Sequence, residues 1–408
     1  MTRARALSWT GIAAILAASA LLLAAFGATP LLPALPEPVI TLADTPPAAP
    51  PAYLAQYAAD GLEFRPIDPG TLADAPAAAP WRIEGLTYGN FTRLASADGS
   101  TLAVMQYTGG LADAPDVTIR ILDARTGAER VRFRTPFPVE MSGLTADGSR
   151  LLGCGPAYHP DPHYLVWDTT DGRLVATVPL RLTDVTIAPD GRRLYGLLLP
   201  QHGASATLVA WDIAAGRETG RRQFDRAALA SPLAISPDGS LLAALDAGGD
   251  RFTLLDARRL QVLRSGALVR APGVAAPAAP RPAAGETLQS TGWLLQFSPD
   301  GRYLYAWGEE EWRIDAGRAD YRPLGLRAID VARATVVAAV PTPQPLAWLA
   351  VGPDGAVYTL DTPLGSLAPR GPATLSRRAP RTLAVTAARE FPAALPDTWL
   401  VFLAPHAP

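Results

Sequence analysis

The chain has 408 residues and a formal net charge of −2, with 36 basic residues, all of them arginine. That length allows one large domain or two ordinary ones, and the charge balance gives no global attraction to nucleic acid. A single cysteine, Cys154, excludes an intrachain disulfide and a cysteine metal cluster. It sits in the apolar run Leu151-Leu152-Gly153-Cys154 and reads as a buried, inert thiol.

The N-terminus comes first in chain order. Arg3 and Arg5 precede an uncharged stretch from Ala6 to Pro36. Its apolar heart, Ala6 to Ala28, would span about 34 Å as a helix, enough to cross a bilayer. The basic flank places the N-terminus inside and the remainder outside. Two readings of residues 1–28 stay open: a retained transmembrane anchor, and a signal peptide cleaved near Ala25-Phe26-Gly27. Both export the remainder of the chain, to the outer side of the cell membrane or into the periplasm or medium. Residues 29–52 carry Pro30, Pro33, Pro36, Pro38, Pro46, Pro47, Pro50 and Pro51, which makes a semi-rigid spacer.

Residues 53–408 are organised by a repeated turn. Its copies are Ala97-Asp98-Gly99, Ala146-Asp147-Gly148, Pro189-Asp190-Gly191, Pro237-Asp238-Gly239, Pro299-Asp300-Gly301 and Pro353-Asp354-Gly355. Successive glycines are 49, 43, 48, 62 and 54 residues apart. Proline presets φ for a tight turn, Asp bonds to the backbone just ahead of it, and Gly takes a left-handed conformation. A repeat of about 40–50 residues with this chemistry predicts a β-propeller.

A second motif runs in step: two apolar residues and an Asp. It appears as Ile121-Leu122-Asp123, Val166-Trp167-Asp168, Ala210-Trp211-Asp212, Leu254-Leu255-Asp256 and Ala328-Ile329-Asp330. Gly127, Gly172 and Gly216 close the turns after the first three. The preceding runs are short, rich in β-branched and aromatic residues, and bounded by turn formers, so they predict strands. One unit therefore reads as strand a, Asp-Gly turn, strand b, loop, strand c ending in Asp, turn, strand d.

On these turns and on Trp167-Asp168 and Trp211-Asp212, the chain from about residue 85 resembles the WD-repeat and YVTN-type propellers. No Gly-His dipeptide opens the repeats, so the buried His-Asp network of true WD repeats is not expected, and no catalytic residue carries over. The expected fold is all-β, six to seven four-stranded blades after one apolar helix. Seven is preferred, because two leftovers complete a blade. Leu62 to Gly70 looks like strand c and its turn, and Thr398 to Leu403 looks like an isolated strand. Joining them in one composite blade would protect the exposed sheet edges.

Long connections fall between b and c and between d and a, at 107–117, 155–163, 199–206, 271–290 and 308–322. The resemblance implies that these share one face, and function tends to sit on such loops. His159, Asp161 and His163, with His202 in the next unit, offer imidazoles and a carboxylate; Pro160 and Pro162 restrict them, and no metal or cofactor is expected. Glu309, Glu310, Trp312 and Asp315 form an acidic stretch suited to a cation or a basic partner. No nucleophile elbow, phosphate loop or His-Glu-x-x-His motif occurs. Trp81, Trp293, Trp348 and Trp399 read as core aromatics. The leading reading is a non-enzymatic, membrane-tethered scaffold for a protein or envelope component. The rival is a propeller enzyme, such as a lactonase or hydrolase, with its site at the central channel. The sequence leaves the oligomeric state open.

Overall fold

The computed structural model describes residues 52–402, apart from 59–60, 76–78, 87–90, 109–115, 136–138, 156–162, 181, 199–204, 226–229, 247–249, 269–286, 316–317, 343–345, 362–371 and 392–398. The apolar segment 1–28 and the spacer up to residue 51 lie outside the described residues. Among the described residues no helix is long and apolar enough to cross a membrane.

Those residues form seven antiparallel sheets of four strands each. Blade 1 is composite. Its strand a is Trp399–Phe402, and its strands b, c and d are Ala52–Ala58, Gly61–Ile67 and Trp81–Glu84. Blade 2 comprises Phe91–Ala95, Thr101–Thr108, Asp116–Asp123 and Glu129–Thr135. Blade 3 comprises Glu140–Leu144, Arg150–Cys154, Tyr164–Asp168 and Leu174–Val178. Blade 4 comprises Thr183–Ile187, Arg193–Leu198, Ser205–Asp212 and Arg217–Asp225. Blade 5 comprises Ala230–Ile235, Leu241–Leu245, Arg251–Asp256 and Gln261–Ala267. Blade 6 comprises Thr287–Phe297, Tyr303–Asp315, Arg318–Asp330 and Thr335–Val340. Blade 7 comprises Leu346–Val351, Val357–Asp361, Ala373–Arg378 and Val385–Phe391.

From blade 2 to blade 6 the a strands of neighbouring blades approach one another, so they surround the axis and the d strands form the rim. Middle strands are apolar on both faces, because each face meets another blade. Arg193–Leu198 and Tyr164–Asp168 each carry four consecutive buried residues. The core is a series of seams between blades rather than one central mass.

All six Asp-Gly turns form as the chemistry requires. The glycines have φ between 66° and 79°. Each Asp Oδ1 accepts the backbone N–H two residues on, at 2.9–3.0 Å. Four turns gain a further lock. Ser96, Thr145, Ser236 and Ser298 are buried, and each hydroxyl donates to the turn Asp at 2.5–2.8 Å. Each also accepts, at 2.9 Å, the N–H that opens strand b. Burial works against the charged form, yet the bonds to Ser149, Ser236 and Ser240, and Ser298 hold Asp147, Asp238 and Asp300 below the usual carboxylate range.

The c–d turns share one backbone but not one residue. Gly127, Gly172 and Gly216 occupy the left-handed position in blades 2, 3 and 4, with φ of 72°, 74° and 61°. Leu72, Leu260, Ala334 and Leu383 occupy it in blades 1, 5, 6 and 7, with φ of 51° to 63°. These four side chains are buried in the seam towards the preceding blade.

Closure follows the composite plan. Ala52 to Ala55 pair with Phe402 to Trp399, so the two ends of the described chain share one sheet. Strands b and d of this blade, Ala52–Ala58 and Trp81–Glu84, are additions to the sequence reading, which recognised only c and the C-terminal strand. Tyr358 Oη donates to the Pro69 carbonyl at 2.9 Å, and Arg389 reaches the Leu72 carbonyl and Asp74 at 3.1 and 2.7 Å. The same reach from strand b to the next c–d turn recurs from Tyr305 to Pro380 at 3.0 Å and from Tyr53 to Arg125 at 3.4 Å. Trp81 stacks on Phe64 with centroids 3.6 Å apart and is a core aromatic. Trp293 is half-buried beneath the Arg327 guanidinium, 4.8 Å from the ring centre, and Trp348 packs half-buried between two core clusters. The side chain of Trp399 lies outside the described residues.

Candidate functional site

The Asp-Gly turns occupy one face of the ring, so the b–c ends of the strands open on the other. At that end of blade 3, Glu140, Cys154 and Tyr164 stand directly opposite one another on strands a, b and c. Tyr164 donates to the Leu182 carbonyl of blade 4 at 2.8 Å. Beside it Asp184, at φ 48°, is exposed in a bulge between Thr183 and Thr186. Burial raises the Cys154 thiol above its ordinary value, and Glu140 adds to the rise. Burial also drives the Tyr164 phenol far up, with Cys154, Asp184 and Glu140 contributing. Both shifts favour the neutral form, whereas a thiolate nucleophile needs a lowered pKa. The arrangement presents two exposed carboxylates beside neutral donors.

The residues selected from the sequence divide between two places. His163 is half-buried immediately before strand c of blade 3, and its carbonyl accepts the Gly155 N–H at 2.9 Å. His159, Asp161 and His202 lie outside the described residues. Glu309 is half-buried on strand b of blade 6, paired with Gly292 and Pro323. Glu310, Trp312 and Asp315 continue that strand opposite Arg322, Asp320 and Arg318, and their side chains lie outside the described residues. The structure therefore places His163 on blade 3 and Glu309 on blade 6, with blades 4 and 5 between them. Among the described residues, no three of the His, Cys, Asp and Glu side chains are arranged to hold a metal ion.

Two expected loops are corrected here. Residues 308–322 are mostly strand, not loop: b and c of blade 6 run 13 residues each and are separated by residues 316–317 alone. Strand a joins this extension from Thr287, inside the expected loop 271–290. Beside Leu241–Leu245 of blade 5, strand b gains eight residues, or about 26 Å at the usual strand rise. Once the register is known, facing positions carry opposite charges, Glu310 with Arg322 and Asp315 with Arg318.

Sequence reasoning missed the rim. An outermost strand exposes unpaired N–H and C=O groups, and charges along it discourage further pairing. Blade 2 carries such charges, with Glu129 bridging Arg120 and Arg132 at 2.7 Å. So does blade 4, where Glu218 meets Arg221 at 2.7 Å. Blades 3 and 5 differ. The edge of blade 3, Leu174–Val178, has no charged residue. That of blade 5, Gln261–Ala267, has one, Arg264, which reaches the carbonyls of Val331 and Ala332 on blade 6. Val262 and Leu263 are 43% and 52% exposed. The neighbouring edge of blade 6, Thr335–Val340, has no charged residue.

Comparison with known proteins agrees with the architecture. No protein-family profile and no curated protein matches the chain. Among solved structures it resembles a Bacteroides uniformis protein described as a "putative 6-phosphogluconolactonase". The identity is 15% and the TM-score 0.50, over 86% of this chain and 99% of that one. A Bacteroides fragilis protein of the same description gives 14% and 0.48, over 83% and 97%. The Cps50 (Swd1) β-propeller domain of Myceliophteria thermophila gives 15% and 0.47, over 75% and 87%. At such identities the likeness shows the fold alone. The described residues form a seven-bladed β-propeller.

Proposed function

We propose that this chain is an exported docking propeller, held to the membrane by residues 1–28 and spaced from it by residues 29–52, and that it binds a protein or envelope component without catalysis. The observation that carries this reading is the partly apolar rim of blades 5 and 6, where Arg264 is the one charged residue on the two outer strands, beside the charged edge of blade 4. The separation of His163 from Glu309 argues in the same direction. Protease added to spheroplasts tests the topology. It should cut within residues 29–51 and release the ring, whereas full protection with recovery from the cytosol defeats the export claim. The mass of the mature N-terminus decides between anchor and signal peptide. A chain that begins near Ala28 rules out the anchor.

A rival enzymatic reading draws on Glu140 and Asp184, exposed beside Tyr164 on inner strands. Hydrolysis of simple sugar lactones by the purified protein, abolished in Glu140→Gln and Asp184→Asn, would favour it over docking.

A further inference from the structure

Resting on the docking reading, we propose that the outer strand of blade 5, Gln261–Ala267, is a β-augmentation site that takes an extended, uncharged segment of a different protein as a fifth strand. The backbone of the edge dictates the kind of occupant. A row of N–H and C=O groups is satisfied along its length only by another extended chain. The side chains dictate its chemistry. All but one residue of the strand is exposed, so both faces of an added strand would lie against Val262, Leu263 and their neighbours. The rim strand of blade 4 instead alternates half-buried and exposed positions and carries ion pairs. A charged peptide side chain would lose water against uncharged neighbours at every position except opposite Arg264, whose guanidinium is itself engaged by two carbonyls of blade 6. That engagement also fixes the strand against blade 6, which lowers the ordering cost of docking. A second copy of this chain is a poor occupant. In a two-fold antiparallel pairing centred on the strand, Arg264 would face its own copy, and like charges directly opposite oppose pairing.

The experiment pans phage-displayed uncharged peptides of about ten residues, long enough to span the edge, on the full-length protein in detergent. Selected peptides are then synthesised and their affinity and hydrogen exchange measured. The expected result is an alternating apolar consensus, slowed exchange confined to 261–267, and affinity about tenfold weaker or worse for Leu263→Lys. Thr219→Lys, on the already charged rim of blade 4, should bind as wild type. Peptides that protect another strand, or that bind Leu263→Lys equally, overturn this site and leave the docking reading standing. Failure to select any peptide overturns both. Slow exchange at 261–267 in the free protein would mean the edge is covered within the chain, and concentration-dependent dimers protected there would mean a second copy covers it. Either outcome overturns the proposal.

Discussion

Blades 2 and 3 build the c–d turn with Gly127 and Gly172, while blades 1, 5 and 7 build the same left-handed turn with Leu72, Leu260 and Leu383. The difference lies in the preceding blade. A Cβ on Gly127 would come within 2.4 Å of the Trp81 ring, and one on Gly172 within 2.7 Å of Phe133. There the neighbour has filled the seam, and only glycine fits. In front of Leu260 the neighbouring rim strand offers Gly220, whose own added Cβ would lie 3.3 Å from that leucine. Leu72 likewise packs in the seam that holds Ala387, and Leu383 in the seam that holds Ala338. A left-handed non-glycine residue costs about 1–2 kcal/mol, and burying a leucine gains about 1.5–3. At these three turns burial wins, whereas Gly216 keeps glycine although an added Cβ there meets nothing within 4 Å among the described residues. The turn thus dictates the backbone, and the neighbouring blade dictates the residue.

The sharpest way to break this comparison is to exchange the solutions. Gly127→Leu would combine left-handed strain with overlap on Trp81 and should cost on the order of 4 kcal/mol. Urea unfolding measures it, and Trp81→Ala in the same chain should recover part of the loss. Additive losses in the double variant would sink the idea that the two residues share one space. Leu383→Ala keeps the strain and removes the filling, so about 3 kcal/mol should be lost. A loss below about 1 kcal/mol would show that the seam does not need its leucine.

The seam between blades 6 and 7 holds a second test. Asp361 and Arg378 are both buried there, 4.0 Å apart, and Asp361 Oδ1 has no hydrogen-bond partner among the described residues. Arg378 is held by Thr359 Oγ1 and the Leu383 carbonyl, each at 3.2 Å. Burial lifts Asp361 to about 6 against the pull of Arg378. Its folded pKa is raised, so this stabilisation is full below its unfolded value near 4 and is lost as pH rises through 6. Wild type should therefore gain on the order of 1–3 kcal/mol relative to Asp361→Asn between pH 7.5 and 4.5. Parallel pH profiles would mean that Asp361 is charged throughout. The smallest effect belongs to Gly216, where an added Cβ meets nothing within 4 Å. Gly216→Ala should cost about 1 kcal/mol in thermal unfolding, from left-handed strain alone. A cost matching that of Gly127→Leu would remove the neighbour's role.

The sequence by itself determined what is local. Asp-Gly turns need only their own few residues, so Gly99 to Gly355 announced six blades and the a–b hairpin of each. The composite blade was legible from the unpartnered runs at its two ends, because an open sheet edge demands closure. The rest depends on partners distant in the chain. Leu72, Leu260 and Leu383 gave no turn signal, since a leucine enters a left-handed turn only when another blade has left it room. The hairpin of blade 6 was hidden because Glu309 to Asp315 reads as a polar loop until its register against residues 318–323 is known. The rim of blade 5 was hidden for a similar reason. Val262 and Leu263 look like any other strand residues in the sequence, and only the ring decides that no blade covers them.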